Sequence, residues 1–184
     1  MVTPPTNVQL RRALLDDVLE LERLIELSAR ILGALDYDVG QIEGALLGTF
    51  GVDTQLVRDG TYFVAENEAG LIGCGGWSRR RTLFGGDAGA KRDAGELDPS
   101  VDAAKIRAFF VHPEFARRGI GTSLLARCEL EAAAAGFHRT ELMATIPGVR
   151  LYAVRGYVAA TPIESPLGNK RSITFVPMTK QLVP

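Results

Sequence analysis

The sequence predicts an α/β domain, and three observations carry that reading. Apolar runs with strand character alternate with segments of helical spacing from Val8 to about Gln181. Two of the runs flank the turn Glu66-Asn-Glu-Ala-Gly70, which predicts an antiparallel hairpin. The run from Ile106 to Leu125 passes from a strand, through a turn holding Gly119 and Gly121, directly into a helix. With 184 residues, 46% of them hydrophobic, the chain can bury one sizeable core, so residues 1–184 are expected to form a single domain.

Each element has a local cause. Residues 8–13 read as a short strand after a proline-rich start. Asp16 or Asp17 opens a helix through Arg30, because Val18, Leu21, Leu24, Ile25 and Leu27 recur at helical spacing. Residues 33–37 break the pattern. A second helix over 38–47 places Ile42, Ala45 and Leu46 on one face, and residues 53–58 form a further helical turn closed by Gly60. Residues 61–65 and 71–78 are the hairpin strands; Gly73, Gly75 and Gly76 weaken the second and point to a bulge or a close approach by a ligand.

Residues 82–101 are rich in Gly and Asp and lack periodicity, which predicts a functional flap or a mobile loop. Residues 105–111 follow as a strand, with apolar side chains at successive positions from Ala108 to Val111, as for a strand covered on both faces. A helix is expected over 119–136 with Leu124, Leu125, Cys128 and Ala132 on its buried stripe. A strand over 139–145 and a short helix over 148–155, closed by Gly156, come next. Two strands, 157–163 and 172–181, joined through Pro166-Leu-Gly-Asn169, end the pattern.

Composition excludes several classes. The net charge is −1, so no global basic field points to nucleic acid or a membrane surface. There is no secretory h-region and no apolar run of about 18 residues, which predicts a cytoplasmic protein. Cys74 and Cys128 lack metal-ligand spacing and are expected in the core, so neither a metal nor a disulfide is expected.

The turn after residue 111 carries the chemistry. Glycines let backbone amides approach a ligand, and a helix start adds about half a positive charge, a combination suited to a pyrophosphate. Arg117 and Arg118 add forked donors. Leu124 stands where a dinucleotide-binding turn needs its third glycine, and no Gly-Lys pair supplies a nucleoside-triphosphate loop.

Read as Ala116-Arg-Arg-Gly-Ile-Gly121, the turn resembles the GNAT-type N-acetyltransferase signature Arg/Gln-x-x-Gly-x-Gly/Ala, with Ala116 departing from its first position. Leu151-Tyr-Ala-Val-Arg-Gly-Tyr157 matches a second pattern of that superfamily, Leu/Phe-Tyr-x-x-x-Gly-Phe/Tyr. The resemblance implies a mixed, mostly antiparallel central sheet splayed around an acetyl-coenzyme A site. It implies direct acetyl transfer to a primary amine of a small molecule or peptide.

It places the pyrophosphate on the amides of Arg117, Arg118, Gly119, Ile120, Gly121 and Thr122, and polarises the thioester through the backbone of Phe110 or Val111. Tyr152 becomes the general acid for the departing thiolate. The strand before the turn lacks the carboxylate that many relatives place there; Glu141 is the nearest candidate base by sequence. Thr145 stands where relatives often carry Asn. Tyr37 would wall the acceptor pocket beside Asp38. From the residues themselves, Trp77 and Arg79, the latter within a run of three arginines, are expected to bind a carboxylate or phosphate on the acceptor. A homodimer is an admissible assembly. A non-catalytic acyl-coenzyme A binding or sensor module of the same fold is the alternative.

Overall fold

In the computed structural model, which describes residues 7–89, 93–167 and 170–182, the chain folds as predicted in class and in nearly every element. After β1 (Gln9–Arg12) comes α1 (Val18–Leu32), which buries Leu21, Leu24, Ile25, Ser28 and Ala29, the spacing of one helical face. Asp38 caps α2 (Val39–Leu46) through a reciprocal capping box with Gln41. Asp53 caps the short α3 (Thr54–Arg58). The hairpin is β2 (Tyr62–Asn67) and β3 (Gly70–Ser78); β4 (Ala104–Val111), α4 (Ile120–Ala134), β5 (Arg139–Thr145) and α5 (Val149–Val154) come after it. The chain then forms β6 (Val158–Ala159), β7 (Ile163–Pro166) and β8 (Ser172–Gln181).

These strands make one sheet in the order β1-β2-β3-β4-β5-β8-β6, with β7 also on β8. Every pairing is antiparallel except β4 with β5. Both faces are covered. Along β2, Tyr62 and Val64 join the core beneath α1 and α2, while Phe63 and Ala65 join the core beneath α4. Cys74 and Cys128 are buried in these two cores, one in each.

Two irregularities of β4 open and distort the sheet at its centre. Its parallel pairing with β5 covers only Ala104↔Thr140 and Lys105↔Glu141, and beyond those residues the strands part into a wedge. Against β3, the register slips between Cys74 and Gly76, leaving Ala108 and Phe109 opposite Gly75 alone. Ala108 takes a left-handed φ of 55°, and its carbonyl accepts from the Tyr62 hydroxyl at 3.1 Å. The Phe109 ring lies so close over Gly75 that a Cβ there would meet ring carbons at 2.7 Å. The bulge expected among these glycines falls at Gly75, and the group lying close over it is the chain's own Phe109 ring.

Two expectations change. The predicted strand 157–163 is two short pieces along one edge of β8, because Pro162 has no amide to donate to the ladder. Pro166 belongs to β7, and residues 168–169 of the expected connection lie outside the described residues. The loop 82–101 is not a free flap over its described part. The Gly86 and Asp87 amides donate to Gly48 and Val52 carbonyls at 2.9 Å each, the Asp87 carboxylate accepts from the Thr54 amide, and Arg81 and Thr82 pair with Gly95 and Asp93. Residues 90–92 lie outside the described residues. No helix among the described residues is long and apolar enough to cross a membrane.

Candidate active site

Where β4 and β5 separate, a cleft of about 530 Å³ passes through the sheet. One mouth is formed by the start of α4 and by α5. The other is formed by α1, the segment after α2, and loop residues Leu83 to Gly85.

At the first mouth, Gly119 adopts a left-handed φ of 86° and serves as the N-cap of α4. Ser123 makes the first intrahelical bond, to the Gly119 carbonyl at 2.9 Å, so the amides of Ile120, Gly121 and Thr122 precede it and have no helical acceptor. No acidic side chain occupies that first turn. A Cβ on Gly121 would sit 3.1 Å from Leu151 Cδ2, so the absence of a side chain keeps the turn against α5 open. Arg117 lines the cleft. The Arg118 guanidinium instead sits over the Phe115 ring, 5.4 Å from its centroid, and is not part of the cleft lining.

Within the wedge, His112 donates to the Ile72 carbonyl, and Phe110 pairs with Cys74 two residues back in the same ladder. Antiparallel alternation therefore turns the Phe110 backbone toward β3 and the Val111 backbone toward the cleft. The Val111 amide meets the Ser28 hydroxyl of α1 at 3.3 Å. Of the two amides considered from sequence, Val111 is the one that faces the wedge, because the bulge at Ala108 sets the register.

Tyr152 on α5 also lines the cleft. Its ring packs edge-on to Phe109 and Tyr157, with centroids 6.3 and 5.6 Å away. Burial, with Cys128 adding to it, pushes the Tyr152 phenol well above its ordinary value, so the hydroxyl keeps its proton through the whole neutral range.

On the far side, Tyr37 lines the cleft but its hydroxyl is already engaged. It donates to the Thr174 carbonyl at 2.9 Å and accepts from the Ile146 amide at 2.8 Å; burial pushes its pKa up to about 12. Asp38 caps α2 and pairs with Arg171 instead of entering the cleft.

Three residues singled out from sequence lie elsewhere. Glu141 sits at the closed end of the wedge, hydrogen-bonded to the ammonium of Lys105, and is not in the cleft lining. The parallel register that joins these two residues is invisible in sequence. Trp77 is 3% exposed and packs edge-on to Phe137 beneath α4, because β3 is covered on both faces. Arg79 pairs loosely with Glu96 at 3.9 Å, outside the lining; its neighbour Arg80 is held by Asp59 at 2.6 Å.

Sequence reasoning missed others. Ser28 falls on the buried face of α1 and lines the cleft. Arg107 is 5% exposed, lines the cleft, and is paired with the fully buried Asp53 at 2.6 Å. Phe50, Phe84 and Phe175 line the far mouth and come from three distant segments. Only the charge of Arg107 within an apolar strand could have drawn attention beforehand.

A model of the acetyltransferase (GNAT) domain family matches residues 58–159, more than half of the chain. A search of curated proteins found no match. Among solved structures, a GCN5-related N-acetyltransferase from Rhodopseudomonas palustris is 22% identical, with a TM-score of 0.71 and 99% and 98% of the two chains covered. The PaiA N-acetyltransferase from Thermoplasma acidophilum, in complex with coenzyme A, is 14% identical, with a TM-score of 0.64 and 96% and 99% covered. The ribosomal-protein-S18-alanine N-acetyltransferase from Escherichia coli is 12% identical, with a TM-score of 0.61 and 97% and 96% covered. At such identities the structural likeness speaks for the fold.

Proposed function

The chain belongs to the GNAT acetyltransferase family, and from that premise we propose that it moves an acetyl group from acetyl-coenzyme A to a primary amine of a small molecule or peptide. The amine attacks directly while both molecules are bound. One observation carries the reading: a single cleft has the free amides of α4 and the protonated Tyr152 at one mouth and an aromatic-walled chamber at the other.

The residues fit the cofactor. The amides of Ile120, Gly121 and Thr122 hold its pyrophosphate, with Arg117 beside them. The space beside Leu151 that a side chain at 121 would fill is part of this cradle. Bound there, acetyl-coenzyme A supplies an acyl group activated as a thioester. The Val111 amide, turned into the wedge, polarises the acyl carbonyl, an effect worth roughly 3 kcal/mol for a well-placed donor. Tyr152 gives its proton to the leaving sulfur as the nitrogen–carbon bond forms.

No carboxylate or histidine lines the cleft among the described residues, so no side chain there serves as the base. The apolar far chamber disfavours an ammonium ion and lowers the amine's pKa, and water carries the proton away. The same feature favours the second reading, a module that binds acyl-coenzyme A without turnover. Amine-dependent thiol release from acetyl-coenzyme A, measured beside calorimetric binding, decides between them. Binding without release on any amine sinks the transferase reading.

A further inference from the structure

The chamber opposite α4 carries two ring pairs. Phe50 and Phe110 meet edge to face with centroids 5.7 Å apart, and Phe84 and Phe175 lie tilted at 5.4 Å. Leu32 and Met143 complete the apolar wall. Phe84 is 38% exposed, although it belongs to a loop segment fixed by the bond from Gly86 to Gly48. An aromatic ring held at a cleft mouth with part of its surface still in water is placed to be covered by something apolar.

Two polar side chains of this chamber, Tyr37 and Arg107, are already engaged. The Tyr37 hydroxyl spans Thr174 and Ile146. The Arg107 guanidinium faces the Asp53 carboxylate at 2.6 Å and donates to the Gly85 carbonyl at 2.6 Å. A second ammonium on the acceptor would find no carboxylate among the described lining residues, and burying it unpaired is costly. An acidic acceptor would have to draw Arg107 away from a fully buried Asp53, stranding that charge.

We propose that the acceptor is a monoamine borne on an aromatic or similarly flat apolar body, seated between the Phe50–Phe110 and Phe84–Phe175 pairs. The proposal rests on the acetyl-transfer reading for the presence of an acceptor, but its chemistry is set by the chamber alone. Ring burial supplies the affinity, and the amine points through the wedge toward Val111.

Calorimetry on the full chain loaded with coenzyme A tests it, with 2-phenylethylamine, spermidine and glutamate as probes. Phenylethylamine is expected to bind at least about tenfold more tightly than either of the others, the scale of one good aromatic contact. Phe84→Ala, on a partly exposed loop position, should remove most of that preference while leaving coenzyme A affinity unchanged. Equal or tighter binding of spermidine or glutamate overturns the proposal, as does an unchanged phenylethylamine affinity in Phe84→Ala. Thiol release with acetyl-coenzyme A is read separately. Selective phenylethylamine binding without release leaves the chamber's ligand chemistry standing and defeats the transferase reading. Release with a preference for spermidine does the reverse.

Discussion

Ser28 on α1 and Val111 at the end of β4 are joined by one long hydrogen bond, the amide of Val111 to the Ser28 hydroxyl at 3.3 Å. In the proposed reaction the acyl carbonyl would compete with the serine for this cleft-facing amide.

That pairing has a measurable consequence. In Ser28→Ala the free protein loses a hydrogen bond worth about 1 kcal/mol, and its melting temperature should drop by roughly 2–4 °C. Acetyl-coenzyme A restores a partner to the amide, so its affinity should rise about fivefold. Coenzyme A, without the acyl carbonyl, should show no such gain. An equal change for both ligands would mean that the Val111 amide does not meet the acyl group.

The two glycines of the turn should fail for different reasons. Gly119 has a left-handed φ of 86° with open space around it, so Gly119→Ala strains the backbone by roughly 1–2 kcal/mol, reducing stability together with cofactor affinity. Gly121→Val drives a side chain into Leu151 and should weaken acetyl-coenzyme A at least about tenfold, or roughly 1.4 kcal/mol. Arg118→Ala, which removes a guanidinium resting on Phe115, should stay within about threefold. Calorimetry that found Arg118→Ala the most damaging of the three would contradict the backbone cradle.

This turn was legible in the sequence because its proposed role resides in the backbone and its signal is local: a strand, two glycines and a helix in one run. The core faces of α1 and α4 were legible for a similar reason, since Leu21, Leu24 and Ile25, or Leu124, Leu125 and Cys128, repeat at helical spacing. The acceptor chamber was not legible. Phe50, Phe84, Phe110 and Phe175 stand in four separate segments, and only the folded sheet brings them together. Nor could sequence tell which of three consecutive arginines faces an acid; Arg80, just past β3, meets Asp59 at the C-cap of α3. Glu141 misled because proximity in sequence to the motif says nothing of the parallel register that ties it to Lys105.

Glu141→Gln should consequently leave turnover and its pH profile within about twofold of the parent, since the side chain is outside the cleft. The cost should appear in stability. Lys105 keeps a hydrogen-bond acceptor but loses its counter-charge at a site where its side chain is 11% exposed, a loss on the order of 1 kcal/mol. Parallel rate and melting measurements separate the two. A collapse of turnover without a change in melting would return Glu141 to the reaction.

The enzymatic reading depends most on Tyr152. Its ring is wedged between Phe109 and Tyr157 and touches the path of the cleft, so Tyr152→Phe preserves the packing and deletes the proton. Turnover should fall by about 100-fold, the ordinary scale of general acid catalysis, while acetyl-coenzyme A affinity stays nearly constant. Burial raises the phenol's pKa, which extends its neutral form to higher pH, so the parent's rate should climb as the amine sheds its proton and show no decline up to about pH 10. The variant's weaker rate should climb with the same pH dependence, because the amine and not the phenol sets that limb. An alkaline decline in the parent at an unshifted tyrosine value, absent from Tyr152→Phe, would contradict the buried, permanently protonated state. Unchanged turnover in a variant that melts like the parent would reduce Tyr152 to a packing residue and leave the cleft without a proton donor for sulfur.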